Sequence, residues 1–241
     1  MSESEPSQSG SSPFPARRSI ASLLVRLLTL LVILAGVLFI SAGRLDWLQA
    51  WLFILAYGVF LLIYGAWGQR NDPGQIAERS KIGSNVKSWD KAILSVYTFL
   101  LFVLLTVAGL DAGRFRWAVA PAVLQAIGWV GLLLAGGLIW WAASVNTFLS
   151  RWMRIQDDRG QQAVTTGPYR WVRHPMYGGV IIFMLNIPLV LGSIWALVPG
   201  ILIVILYVIR TALEDRTLQE ELPGYREYAE RVRYRLIPGI W

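Results

Sequence analysis

The chain has 241 residues, no cysteine and one histidine, and its 22 Lys+Arg outnumber 15 Asp+Glu for a formal charge of +7. Hydrophobic residues make up 55% and charged residues only 15%, with a mean hydropathy of +0.51, whereas a soluble domain carries roughly 25% charged residues. These values exclude a water-soluble globule, a disulfide scaffold, Cys-ligated zinc, iron–sulfur clusters, thiolate catalysis and a multi-His metal site. In such a chain the basic surplus is read by its distribution along the sequence, and it does not indicate a nucleic-acid partner.

Residues 1–19 are rich in Ser, Pro and Glu, carry little to bury, and read as a disordered tail. Ile20–Ala42 is long enough to cross a hydrocarbon layer of about 30 Å. It is longer than the roughly 7–15 apolar residues of a signal peptide and follows an acidic tail, so a retained helix is expected. Segments 47–66, 92–110 and 121–145 are three further spans, with Pro121 suited to a first-turn position. Segment 176–209 is too long for one crossing and is interrupted at Gly192-Ser193 and Pro199-Gly200, which suggests two short helices forming a hairpin. The expected fold is therefore all-α: a polytopic transmembrane bundle of five to six spans whose last two form a short helical hairpin. Its parts are the tail 1–19, a four-helix region 20–145 and a catalytic, cofactor-binding region 146–241.

With the amino end in the cytoplasm, 19 of the 22 Lys/Arg fall on cytoplasmic segments, leaving only Arg44, Arg114 and Arg116 outside. This bias predicts a multi-pass protein, of a plasma or inner membrane, with a cytoplasmic amino terminus. Trp47, Trp67, Trp89, Trp117 and Trp195 lie at span ends, where amphipathic rings anchor to the interface.

The first spans are nearly featureless, and the polar side chains concentrate in 156–177 and 210–238, which the hairpin returns to one membrane face. In the first segment, Gly167-Pro168 marks a turn. His174 precedes Pro175, which is suited to opening a helix, so the histidine falls at a helix amino terminus that favours an anion. Arg170 and Arg173 add positive charge, and Tyr169 and Tyr177 add aromatic faces with hydroxyl tips. This set suits a ligand with a carboxylate and a planar ring; a basic loop binding lipid phosphates, with His174 as a helix cap, is an equal alternative. In the second segment Arg210 and Glu214 are four apart on one helical face, with Asp215 adjacent. They suit an anion held by the arginine and an ammonium or ribose hydroxyl held by the glutamate, but taken in isolation this spacing reads more readily as an ordinary i,i+4 interfacial pair worth a few tenths of a kcal/mol. The Glu/Arg mixture at 220–230 reads as a solvated face, Asp157–Arg159 as a hydrated turn, and Tyr225, Tyr228 and Tyr234 as packing residues.

Taken together, the stretch G-P-Y-R-W-V-R-H-P-M-Y-G from Gly167 to Gly178, Arg210-x-x-x-Glu214-Asp215, and the ending L-P-G-Y-x-x-Y at 222–228 with R-L-I-P at 235–238 resemble the isoprenylcysteine carboxyl methyltransferases and the related phosphatidylethanolamine N-methyltransferases. The resemblance covers the last third of the chain. It implies an integral membrane enzyme that transfers a methyl group from S-adenosyl-L-methionine to a lipophilic small molecule, lipid or prenylated acceptor. Carboxylate O-methylation is favoured over amine N-methylation, because a carboxylate needs no base. The resemblance makes Gln156, Gln161, Val164, Tyr169, His174, Pro175, Tyr177, Glu214 and Asp215 cofactor contacts. Arg210, near the substrate, Glu214 and Arg173 are the expected catalytic residues, and no metal is expected. Gln161 stands where many relatives have histidine, and Asp215 replaces the usual second glutamate. The competing readings are an NADPH-dependent membrane reductase of the sterol-reductase type, with Arg170, Arg173 and the tail arginines on the extra phosphate, and a non-catalytic lipid-binding protein.

Overall fold

A computed structural model describes residues 20–79 and 85–241. The tail 1–19 and Lys81 lie outside the described residues. The elements are α1 (Ile20–Ala42), α2 (Leu48–Asn71), α3 (Pro73–Glu78), α4 (Ser88–Ala108), α5 (Ala122–Val145), α6 (Pro175–Leu191), α7 (Leu197–Glu221) and α8 (Tyr225–Arg231). Among the described residues there is no strand, only one isolated antiparallel bridge between Val119 and Ser193. Five helices (α1, α2, α4 with its extension, α5 and α7) are long and apolar enough to cross a membrane. This is the expected helical bundle of a multi-pass membrane protein. With 17 residues, α6 rises about 26 Å, short of the roughly 30 Å of the hydrocarbon layer.

Helix boundaries follow local chemistry more than hydropathy. α2 runs past its apolar segment to Asn71, because a helix satisfies its own backbone whatever its side chains. It stops where the Asp72 carboxylate caps Gln75 N–H at 2.9 Å and Pro73 opens α3. α4 widens into a π-helical stretch at Gly109–Phe115 and ends on Arg116 in a left-handed conformation. Pro121 caps α5 one residue outside it. His174 caps α6, Pro175 is its first residue, and Gly192 closes it with φ +79°.

The hairpin is present, but its second arm is not short and Pro199-Gly200 does not interrupt it. The turn lies at 192–196, and α7 runs for 25 residues with Pro199 in its first turn, where no backbone N–H is needed. α5 and α6 form the closest helix pair through small residues. A Cβ on Gly128 would stand 2.8 Å from Leu189 Cβ, and one on Gly179 would stand 2.7 Å from Ile139 Cγ1.

The end of the bundle that carries Arg44, Arg114 and Arg116 is tied by Asp111, which is fully buried. Its oxygens accept from Ala118 N–H at 2.8 Å, the Ser193 hydroxyl at 2.6 Å and Trp195 N–H at 3.1 Å. Ala120 N–H to Gly192 O and Ile194 N–H to Ala118 O extend this link between the α4–α5 and α6–α7 connections. Of the expected interfacial tryptophans, Trp117 and Trp195 are exposed, whereas Trp47 is buried in the core under α1. Asp111→Ala strands buried donors and is expected to cost at least about 1–3 kcal/mol. Thermal unfolding of the detergent-solubilised protein checks this, with Asp111→Asn recovering part of the loss.

Candidate active site

The opposite end of the bundle gathers the amino ends of α4 and α6, the carboxyl ends of α5 and α7, and the connection 146–174. They enclose a cavity of about 300 Å³. Of the residues expected to form a site, Gln156, Gln161, Val164, Tyr169, Arg173, His174, Tyr177, Arg210 and Glu214 line it, and Pro175 and Asp215 do not. Two stretches separated by the whole α6–α7 hairpin thus meet at one place.

The meeting point is close. His174 Nδ1 lies 3.8 Å from Glu214 Oε1, and the Tyr177 hydroxyl donates to Glu214 Oε2 at 2.5 Å. The rings of His174 and Tyr177 stack with centroids 5.8 Å apart. His174 caps α6 and Tyr177 lies on its first turn, so the start of this helix carries both towards α7. Among the described residues no lysine or arginine lies within salt-bridge distance of Glu214. Its carboxylate, 17% exposed, is therefore available to a cationic or hydrogen-donating ligand.

Asp215 turns away from the cavity and is fully buried. Arg173 grips it at both oxygens, with Nε to Oδ1 at 2.7 Å and Nη2 to Oδ2 at 2.9 Å. His174 Nε2 stands at 3.2 Å, Gln219 Nε2 at 2.8 Å and Arg235 Nε at 2.9 Å. The Tyr225 hydroxyl donates to Oδ1 at 3.2 Å. Burial raises the pKa of the Tyr225 phenol well above its ordinary value, so it remains a donor. The shorter side chain noted in the sequence thus anchors the histidine from behind. Arg173 spends its remaining Nη1 donors on the Val232 and Arg233 carbonyls at 2.6 and 3.0 Å, which makes it a brace between loop and tail. Pro175 opens α6 and is buried there.

Arg210 does not pair with Glu214. Its Nε donates to Asp90 Oδ1 at 2.7 Å and its Nη2 to the Arg151 carbonyl at 3.0 Å. Its guanidinium carbon lies 5.1 Å from the Tyr177 ring centroid. Asp90 also accepts from Met153 N–H at 2.7 Å and is fully buried. The glutamines are fixed too. Gln156 Nε2 donates to Phe148 O at 2.6 Å, its Oε1 accepts from Arg159, and Gln161 Oε1 accepts Gln156 N–H at 2.8 Å. Tyr169 takes a hydrogen bond from Asn146 at 3.0 Å, and its carbonyl accepts the Tyr228 hydroxyl at 2.8 Å. Burial raises both phenol pKa values well above the ordinary one.

Two contributors come from the region that reads as featureless. Asp90 is an ionisable residue in the first turn of a spanning helix, a signal of function or pairing in itself. Arg79, at the end of α3, lines the cavity and hydrogen-bonds the Tyr64 hydroxyl. No local pattern marks it, because α3 is placed by long-range bonds from Gln75 Nε2 to Ala143 O and Asn146 O.

The fold and cavity define a helical membrane protein with a partly enclosed site of mixed polarity at the end of its bundle where the connection 146–174 and the end of α7 meet. Residues 126–223, less than half of the chain, match the phospholipid methyltransferase family. That is the isoprenylcysteine carboxyl methyltransferase and phosphatidylethanolamine N-methyltransferase-like group whose motifs the sequence resembles. The matched segment runs from within α5 past the end of α7 and contains every cavity-lining residue that the sequence assigns to the site. No curated protein matches the chain. Family match and helical bundle together support an integral membrane methyltransferase.

Asp90→Ala leaves the Arg210 guanidinium buried without its counter-charge and is expected to cost about 3–5 kcal/mol. A fall in the unfolding midpoint, with Asp90→Asn intermediate, checks this.

Proposed function

We propose that the cavity holds S-adenosyl-L-methionine and that the protein methylates a lipophilic acceptor, with a carboxylate favoured as the receiving group. The observation that carries this reading is the Glu214 carboxylate, without a lysine or arginine partner among the described residues and held against His174 and Tyr177 in a partly enclosed cavity. The residues present suit the donor's chemistry. Glu214 and His174 Nδ1 accept hydrogens from an ammonium or ribose hydroxyl, the tyrosine faces suit a planar base, and Val164 and Met176 supply apolar wall. When bound, the sulfonium supplies an electrophilic methyl group.

The protein's own work is orientation and exclusion of water. Gln156 and Gln161, locked to each other and to the backbone, give the wall a fixed shape. Arg210 presents a permanent positive charge whose direction Asp90 sets. A carboxylate acceptor drawn to that charge needs no base, which suits a site whose phenols burial holds protonated. The reductase alternative loses support: Arg170 lies over the Trp171 ring outside the cavity, and Arg173 and Arg235 are both engaged by Asp215. A lipophilic acceptor reaches the site from the membrane, and the soluble donor from the cytoplasmic face assigned by the Lys/Arg bias.

Titration of the purified protein with S-adenosylhomocysteine and, separately, NADPH tests the reading. Binding of the first alone is expected, weakened at least about tenfold in His174→Ala or Glu214→Ala; equal affinity in wild type and both variants removes the site. Transfer of labelled methyl to prenylcysteine analogues but not to phospholipid amines is expected on the carboxylate reading, and the reverse result assigns the amine. Orientation is checked in the same cysteine-free chain. An impermeant maleimide is expected to label Leu45→Cys in intact cells and Arg216→Cys only after permeabilisation, both positions being exposed.

A further inference from the structure

The only histidine of the chain lies between two carboxylates that face it differently. Nε2 is 3.2 Å from Asp215 Oδ1, within hydrogen-bond reach, and Nδ1 is 3.8 Å from Glu214 Oε1, beyond it. A carboxylate only accepts, and a neutral imidazole has a single N–H. The Asp215 contact therefore assigns that hydrogen to Nε2 and leaves Nδ1 as a bare acceptor. Asp215 cannot swing away, since Arg173, Arg235, Gln219 and Tyr225 hold it as well. On the cavity side, Glu214 Oε2 is taken by the Tyr177 hydroxyl, so in the neutral ring Nδ1 and Oε1 face each other as two acceptors.

Two acceptors so close repel unless a donor bridges them, and beside a carboxylate the best bridge is positively charged with more than one hydrogen. A primary ammonium meets both conditions. A basic side chain of the protein does not fill the place: among the described residues none lies within salt-bridge distance of Glu214.

We propose that Asp215 is a positioning residue that holds His174 in its Nε2–H tautomer, so that Nδ1 and Glu214 Oε1 together form a subsite for a primary ammonium. On the reading above, which this inference deepens, the ammonium is that of the amino-acid end of the methyl donor. Glu214 then supplies the charge, His174 the second acceptor, and Asp215 acts only through the ring it orients.

The single histidine makes the test direct, because ¹⁵N-histidine labelling reports one ring. In ligand-free wild type the neutral ring is expected to show a protonated Nε2 and an unprotonated Nδ1, and Asp215→Asn is expected to shift it towards the other tautomer. Wild type is expected to prefer S-adenosylhomocysteine over its deaminated analogue, with hydrogen in place of the amino group, by about tenfold or more. In Asp215→Asn that preference shrinks. A protonated Nδ1 in wild type, an unchanged ring in Asp215→Asn, or equal affinity for the two nucleosides overturns the proposal. If Asp215→Asn does not fold, the wild-type spectrum and the analogue comparison still decide. Failure of both nucleosides to bind wild type counts against the methyl-donor reading, and the ring spectrum, recorded without ligand, still judges the tautomer.

Discussion

A carboxylate with no exposure to water can stay charged only if cations and donors surround it, and Asp215 imposes that requirement on four parts of the chain. The loop ahead of α6 supplies Arg173 and His174, α7 itself supplies Gln219, α8 supplies Tyr225 and the tail supplies Arg235. Backbone pairing follows the same line, with Arg173 N–H to Tyr234 O and His174 N–H to Arg235 O, both at 2.9 Å. Loop, helix end and tail are therefore one unit, and the histidine that begins α6 has little freedom in where its ring points. The cavity wall is a consequence of how this charge is neutralised.

A second buried acid does the same on the other side. Asp90, from α4, holds the side chain of Arg210 on α7 and the backbone of Met153 in the long connection. Between these two fixed acids lies Glu214, whose carboxylate faces the open space. Glu214 and Asp215 are neighbours in sequence but about 100° apart around a helix of 3.6 residues per turn, so one serves the cavity and the other the structure behind it. Cations follow the same division. Both line the cavity, but Arg173 is consumed as a brace whereas Arg210 is steered by Asp90.

Much of this was legible from residue order. The spans, the hairpin, the His-Pro start of α6 and the meeting of the two polar segments all rest on local rules: hydropathy, proline and glycine punctuation, helical spacing. Errors came where a local sign has two meanings. Pro199-Gly200 reads as a break, yet proline is tolerated in a first turn, and the real turn lay a few residues earlier. Trp47 reads as an interface anchor but packs inside, in one core cluster with Phe39 and Ala42 of α1. Arg210-x-x-x-Glu214 reads as a pair, yet a stronger partner 120 residues away in sequence claims the arginine.

The sequence alone determined that the chain crosses a membrane several times, that its charges concentrate at one end of the bundle, and that its polar side chains cluster in two late stretches. Those properties are sums over neighbours along the chain, so composition and spacing carry them. Which acid faces the cavity, which buried acid holds each arginine, and which early helix contributes a counter-charge were decided only by tertiary structure. Each depends on what burial removes from water and on which long-range partner is then near enough to replace it. The residues that settle this, Asp90, Asp215 and Arg235, lie far apart in the chain and meet only once the helices have packed.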